Sequence, residues 1–357
     1  MKMKRSIRLA IGVAFGAALA SAGTVSYTCD ATINATQAGT CAFLNSTTAG
    51  LYNNTFTNAN ASIYIQQGIT GLGSSTSGYL NLVTYSAFRT ALIADSSGDA
   101  IDLAALASLP AVEPAIYGQG DVEITSALAQ ALGITTVDGG GAVLGTTALG
   151  AACSTPGSGG CYNGIITVTT PANLSAETGG TQFLYWDQNG GSIPADAYDF
   201  YSVVQHETDE LLGTSSCIGT GGGVLAYDCT NTDPSAVDLF RYSGAGTRVF
   251  LSSVPGAYFS YNGGATNGAD GAAYNTLANG DDYADFATNC SHVQDAVGCL
   301  GQILTITTDG SAEINILDAV GYNLPTQTPP TTPEPGTMAL FGAGIAALAV
   351  YRRRRRA

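Results

Sequence analysis

His206-Glu207-Thr208-Asp209-Glu210-Leu211-Leu212-Gly213 is the stretch that decides how this chain is read. The chain has only two histidines, and one of them stands here. Side chains four residues apart on an α-helix lie on one face, so His206 and Glu210 point the same way, as two ligands of one divalent ion must. Pro194 and Asp196 predict the start of a helix, Gly213 predicts its end, and no breaker lies between them. At about 100° per residue His206 and Glu210 fall within roughly 40° of each other. Ala197, Phe200, Tyr201, Val204 and Leu211 gather on the opposite side. The helix therefore has an apolar back to bury and a polar front, with Glu207 near that front. A surface helix carrying three acids and a histidine has the same pattern, because glutamate is common in helices.

The two ends of the chain point out of the cytoplasm. Residues 1–22 read as a secretory signal: Lys2, Lys4, Arg5 and Arg8 form a basic region, an apolar run follows, and Ala20-Ser21-Ala22 is a small-residue exit. Residues 326–332 form a Pro/Thr linker. In residues 333–357, Pro333-Glu334-Pro335 precedes an apolar run from Gly336 to Val350 and then Arg352 to Arg356. That run is short against the about 20 residues of a spanning helix. The tail resembles the PEP-CTERM sorting tag of Gram-negative bacteria. The resemblance implies recognition by an exosortase-type enzyme, transient membrane insertion of the tail, and delivery to the cell surface or extracellular matrix.

Composition narrows the function of residues 23–325. Only Arg89, Arg241 and Arg248 among the 12 basic residues fall there, against nearly all of the 27 acids. So acidic a surface argues against nucleic acid as a partner. Calcium is a candidate ligand, with Asp281, Asp282 and Asp285 the residues in view, although no EF-type spacing is present. The eight cysteines form close pairs, Cys29 with Cys41, Cys153 with Cys161, Cys217 with Cys229 and Cys290 with Cys299. In an exported chain this argues for disulfides between neighbours, each stapling one loop.

Within the body, residues 61–66, 165–168 and 183–186 read as strands, and 122–124 as weakly extended. Residues 80–95, 101–109, 125–132 and 313–320 read as helices. Residues 24–60 are rich in Thr, Asn and Ala, and a propeptide is one reading of them. Strands before the motif helix and Gly/Asn/Asp-rich loops after it predict an α+β fold: a zincin-like domain with a mixed sheet over the active-site helix, a loop-rich C-terminal half and disulfide staples. Residues 183–188 are the candidate edge strand along which an extended substrate would pair.

Five landmarks carry a wider resemblance: the motif itself, Asp238-Leu239-Phe240-Arg241-Tyr242-Ser243, Ala257-Tyr258-Phe259-Ser260, Gly280-Asp281-Asp282-Tyr283 and Leu317-Asp318-Ala319-Val320-Gly321-Tyr322. Over roughly residues 60–324 the chain resembles a family of exported bacterial metalloproteases, assigned by motif, that often end in PEP-CTERM tags. The helix also resembles the metzincin signature HExxHxxGxxH. Glu210 stands for the second histidine, Gly213 keeps the glycine, and Ser216, a poor zinc ligand, holds the third-ligand position. The resemblance implies zinc, a polypeptide substrate, Glu207 as general base toward a metal-activated water, and His206 and Glu210 as metal ligands. His292, the other imidazole, is the first candidate for the third ligand, with Asp228, Asp233 and Asp238 as rivals. Tyr242 is the candidate oxyanion donor. The competing functions are an inactive matrix or surface binding protein on the same scaffold, and a calcium-stabilised adhesin in which His206 is incidental. No GxSxG elbow and no phosphate-binding loop is present.

Overall fold

A computed structural model describes residues 23–77, 81–112, 120–187, 192–218, 229, 233–277, 282–287 and 289–325. The segments read above as signal peptide (1–22), Pro/Thr linker (326–332) and sorting tail (333–357) lie outside the described residues, as do Asp228 and Asp281. All elements below belong to one compact unit, Met1–Leu324. The body is a mixed α/β structure with several small sheets and four disulfides.

The main sheet has four strands, β1 (Thr24–Cys29), β2 (Asn60–Gly68), β3 (Gly73–Thr76) and β4 (Gly164–Thr169), in the order β1-β2-β4-β3. The first three in that order run parallel, and β3 is antiparallel to β4, with Ser75 opposite Ile166. Burial alternates along β1 and β2 because successive side chains face opposite sides. Val25, Tyr27, Ile63, Ile65, Ile166 and Val168 join the hydrophobic core.

β1 corrects the propeptide reading of residues 24–60. It is an integral strand, and its Tyr27 hydroxyl lies 3.1 Å from Thr208 Oγ1 on the motif helix. Residues 80–95 also divide: Asn81–Thr84 is a strand paired with Asp121–Ile124, and the helix runs only over Tyr85–Asp95. Thr84 marks the boundary, since its hydroxyl accepts from Ala87 N and caps the helix.

Beneath the sheet lies the motif helix, which with the shorter helices Ala100–Ser108 and Ala312–Val320 is labelled here in chain order: α1 (Ala100–Ser108), α2 (Phe200–Asp209) and α3 (Ala312–Val320). The start of α2 is later than Pro194 and Asp196 suggest. Residues Ala197–Asp199 instead form a short parallel pair with Phe183–Tyr185, and Asp199 caps the helix by accepting from Ser202 N at 2.8 Å and Ser202 Oγ at 2.6 Å. Of the candidate edge strand 183–188, Phe183–Tyr185 belongs to a separate two-stranded pair and Gln188 lies outside the described residues; the main sheet has β1 and β3 at its edges.

The helix continues over Glu210–Thr214 as a wider π-turn, within which Gly213 leaves helical geometry with a φ of +128° that suits glycine. Phe200, Val204, Leu211 and Leu212 are fully buried. Strand and helix approach so closely that a Cβ on Gly164 would collide with Leu211 Cδ2.

All four disulfides join the neighbouring cysteines, with Cα–Cα separations of 5.6–5.9 Å. Cys217–Cys229 and Cys290–Cys299 fall in the loop-rich half, where regular hydrogen-bonded structure is sparse. The staples there limit the freedom of the unfolded chain.

Candidate metal centre

Three side chains converge on one point. His206 Nε2 lies 3.7 Å from Glu210 Oε1 and 3.6 Å from Asp285 Oδ1. Two donors held about 2.1 Å from a tetrahedral ion stand about 3.4 Å apart. The observed spacing is therefore close to what a bound ion imposes, although too long for hydrogen bonds.

The imidazole is oriented for this role. Its Nδ1 stands 2.9 Å from the carbonyl oxygen of Val293. An Nδ1–H donating to that carbonyl leaves the Nε2 lone pair directed at the two carboxylates, the arrangement found behind metal-bound histidines. Gln294 supports the other side, donating from Nε2 to Asp285 Oδ1 at 2.9 Å. Ser75 Oγ donates to Glu210 Oε2 at 2.6 Å, which ties the ligand to the edge strand.

Underneath, the helix is fixed by buried polar contacts. Tyr52 donates to Asp209 Oδ1 at 2.8 Å, and Gln205 Oε1 accepts from Ile306 N. The backbone that holds His206 is itself held: Asp309 accepts from Val293 N and Glu313 from Gln294 N.

Glu207 lies beside this cluster, almost fully buried. Burial, followed by the charge of Glu210, holds its carboxyl well above the usual carboxylate range. Glu210 is shifted the other way: burial is outweighed by the charge of His206 and by the hydrogen bond from Ser75. Burial likewise works against the His206 cation, but Asp285, Glu210 and Glu207 outweigh it and hold its proton affinity well above normal. Three carboxyl groups thus build a field that favours positive charge at Nε2. The donor set of one imidazole and two carboxylates fits a divalent ion such as zinc.

These groups line a cleft of about 560 Å³ together with Gly73, Ser74 and Ser75 of β3. Gly73 is required for the fit, since a Cβ there would stand 2.5 Å from Glu207 Oε1 and 2.7 Å from Val203 Cγ1. Gly73→Ala is expected to push Glu207 aside and to destabilise the fold by about 1–3 kcal/mol. Denaturant unfolding of the variant beside the parent checks this, and an unchanged free energy would contradict it.

The third member of the cluster is Asp285, one of the acids considered above for calcium, and not His292. His292 is buried in the cleft wall, its ring edge-on to Phe286 and its Nδ1 4.0 Å from Asp295 Oδ1. Asp238 is occupied elsewhere, accepting from Ser216 Oγ, Cys217 N, Ser235 N and Ser235 Oγ. Ser216 is spent in that same tie. Asp233 lies beside Asp121. Tyr242 is away from the cleft lining: it is buried on the strand Arg241–Gly244, bonded to Arg248, whose guanidinium lies 5.1 Å from its ring. Asp282 accepts from Ser216 N and Ala284 N.

Sequence reasoning missed Asp285 as a partner of His206, and missed Gly73, Ser75 and Gln294 altogether. Its one usable signal was the density of acids around Asp285.

Residues 331–356 match the PEP-CTERM protein-sorting motif. This tag indicates an exported protein of a Gram-negative bacterium, and it is associated with recognition by exosortase. Neither a curated protein nor a solved structure matches the chain. Among the described residues no helix is long and apolar enough to cross a membrane.

Proposed function

We propose that residues 23–325 form a zinc-dependent endopeptidase-like domain of zincin-like α+β architecture, acting at the cell surface or in the extracellular matrix. The observation that carries this reading is the convergence of His206, Glu210 and Asp285 beside Glu207, in a cleft bordered by an antiparallel edge strand. His206, Glu210 and Asp285 would hold a zinc ion, which when bound would supply a Lewis acid toward a water and a peptide carbonyl. Glu207 takes a proton from the attacking water and returns it to the leaving amine. Its near-complete burial keeps competing solvent away. The far side of β3 carries no strand among the described residues, so its main chain is available to pair with an extended polypeptide. The C-terminal tag delivers the domain through an exosortase-type enzyme, with transient insertion of the tail in the membrane.

A second reading is an inactive binding protein on the same scaffold. It is favoured by the two carboxylate ligands, which make a bound ion less electrophilic than histidines do. Cleavage of an unfolded protein substrate separates the two. The peptidase reading expects hydrolysis that a chelator removes and added zinc restores. Zinc-loaded protein that leaves such substrates intact supports the binding protein and ends the peptidase reading.

A further inference from the structure

A second group of carboxylates lies outside the cleft. Asp99, Asp102 and Asp318 each offer an oxygen, and these three oxygens lie within 4.8 Å of one another. Asp99 caps α1, accepting from Ile101 N and Asp102 N through Oδ1, and Ser97 Oγ donates to its Oδ2. Asp102 Oδ2 accepts from Ser96 Oγ, Ser97 N and Ser97 Oγ. Asp318, on α3, differs from both. Its side chain is fully buried, neither carboxylate oxygen accepts from an N–H or O–H of another residue, and burial, followed by the charges of Asp99 and Asp102 and a side-chain hydrogen bond with Asp99, pushes its pKa up to about 8. Among the described residues, no arginine or histidine nitrogen lies within ion-pair distance of any of the three. A buried carboxylate with neither donor nor counter-charge is among the least tolerable arrangements in a protein interior. Here it faces two further carboxylates.

We propose that Asp99, Asp102 and Asp318 bind a divalent cation of the calcium type, independent of the catalytic reading above. All donors are hard oxygens with no imidazole or thiolate, which selects calcium over zinc. The Ser96 and Ser97 hydroxyls stand at the rim, and Ser97 Oγ is 2.9 Å from Asp102 Oδ2. The ion joins the start of α1 to α3, the last helix before the C-terminal tail. The same junction is already drawn together by Asn323, which accepts from Ser97 N and donates to the Asp95 carboxylate. Extracellular sites of this kind bind calcium in the range of about 10⁻⁴–10⁻³ M. Such a site loads after export and closes the C-terminal end of the body. A proton shared between Asp318 and Asp99 is the competing occupant, and it leaves two negative charges uncompensated.

The test uses full-length protein carrying Glu210→Gln and Asp285→Asn, so that the cleft carboxylates nearest His206 are neutral and failure of the peptidase reading does not affect the result. The protein is freed of metal by a chelator and titrated with calcium alone. The expected result is one calcium bound per chain and a melting temperature about 5 °C higher at saturation. Asp318→Asn in the same background is expected to weaken calcium binding roughly tenfold or more and to abolish the shift. Its melting temperature in chelator should match that of the parent at neutral pH, where burial holds Asp318 mostly protonated, and exceed it above about pH 8, where the parent must bury a charge. Should Asp318→Asn fail to fold, Asp102→Asn reads the same loss of affinity. A parent that melts identically with and without calcium, or an Asp318→Asn variant that keeps the full shift, overturns the assignment.

Discussion

Replacing Glu207 by glutamine is expected to lower peptidase turnover by about 10²–10⁴-fold while leaving the metal content unchanged. The amide keeps the shape of the side chain beside Gly73 but has no basic oxygen to take a proton from water. The stability of the metal-free protein is expected to move the other way. Burial raises the proton affinity of Glu207 in the folded state. A group shifted upward contributes full stability only below its unfolded pKa, near 4.5, and that contribution is lost as pH rises through the folded value. Glutamine imitates the protonated form and has no charge to bury. In chelator at neutral pH, Glu207→Gln should therefore melt no lower than the parent. Kinetics, metal analysis and a melt on one preparation read all three effects. Parental turnover in this variant would remove Glu207 from the mechanism.

The second large effect belongs to Asp285. Changing it to alanine is expected to weaken zinc binding by roughly 100-fold or more, since even groups behind the ligands typically contribute 10–100-fold. His292→Ala should retain zinc, because the nearest acid to its ring is Asp295 rather than Glu210. Competition against a zinc-binding dye gives both affinities. The reverse order, zinc lost with His292 and kept without Asp285, would restore the ligand set that the sequence suggested.

The contrast between these residues shows what the sequence made legible. His206 and Glu210 were readable because the helical period alone brings residues four apart together. Asp285 is 75 positions beyond Glu210 in a segment without regular structure, where no period links sequence to space. The tie from Ser75 was hidden for a related reason: Gly73–Thr76 is a polar edge strand with no apolar face to bury, so it gives no alternation to detect. β1 is the opposite case. Its Val25, Tyr27 and Cys29 alternate with exposed or half-buried residues, a period-two signal that the Thr- and Asn-rich surroundings obscured. The start of α2 moved from residue 196 to Asp199 because the strand pairing at Ala197–Asp199 is a tertiary contact. The disulfides were legible because cysteines 8–12 positions apart close short loops at little entropic cost. Tyr242 was assigned to the site on a motif alone, and its partner Arg248 comes six positions later in a two-residue strand antiparallel to its own.

The most direct measurement is anomalous diffraction at the zinc edge from crystals of protein purified without a chelator. A single strong peak within about 2.0–2.2 Å of His206 Nε2 and of an oxygen from both Glu210 and Asp285 is the predicted result. A peak at His292 without Asp285, or zinc-supplemented crystals with no peak at His206, would contradict it.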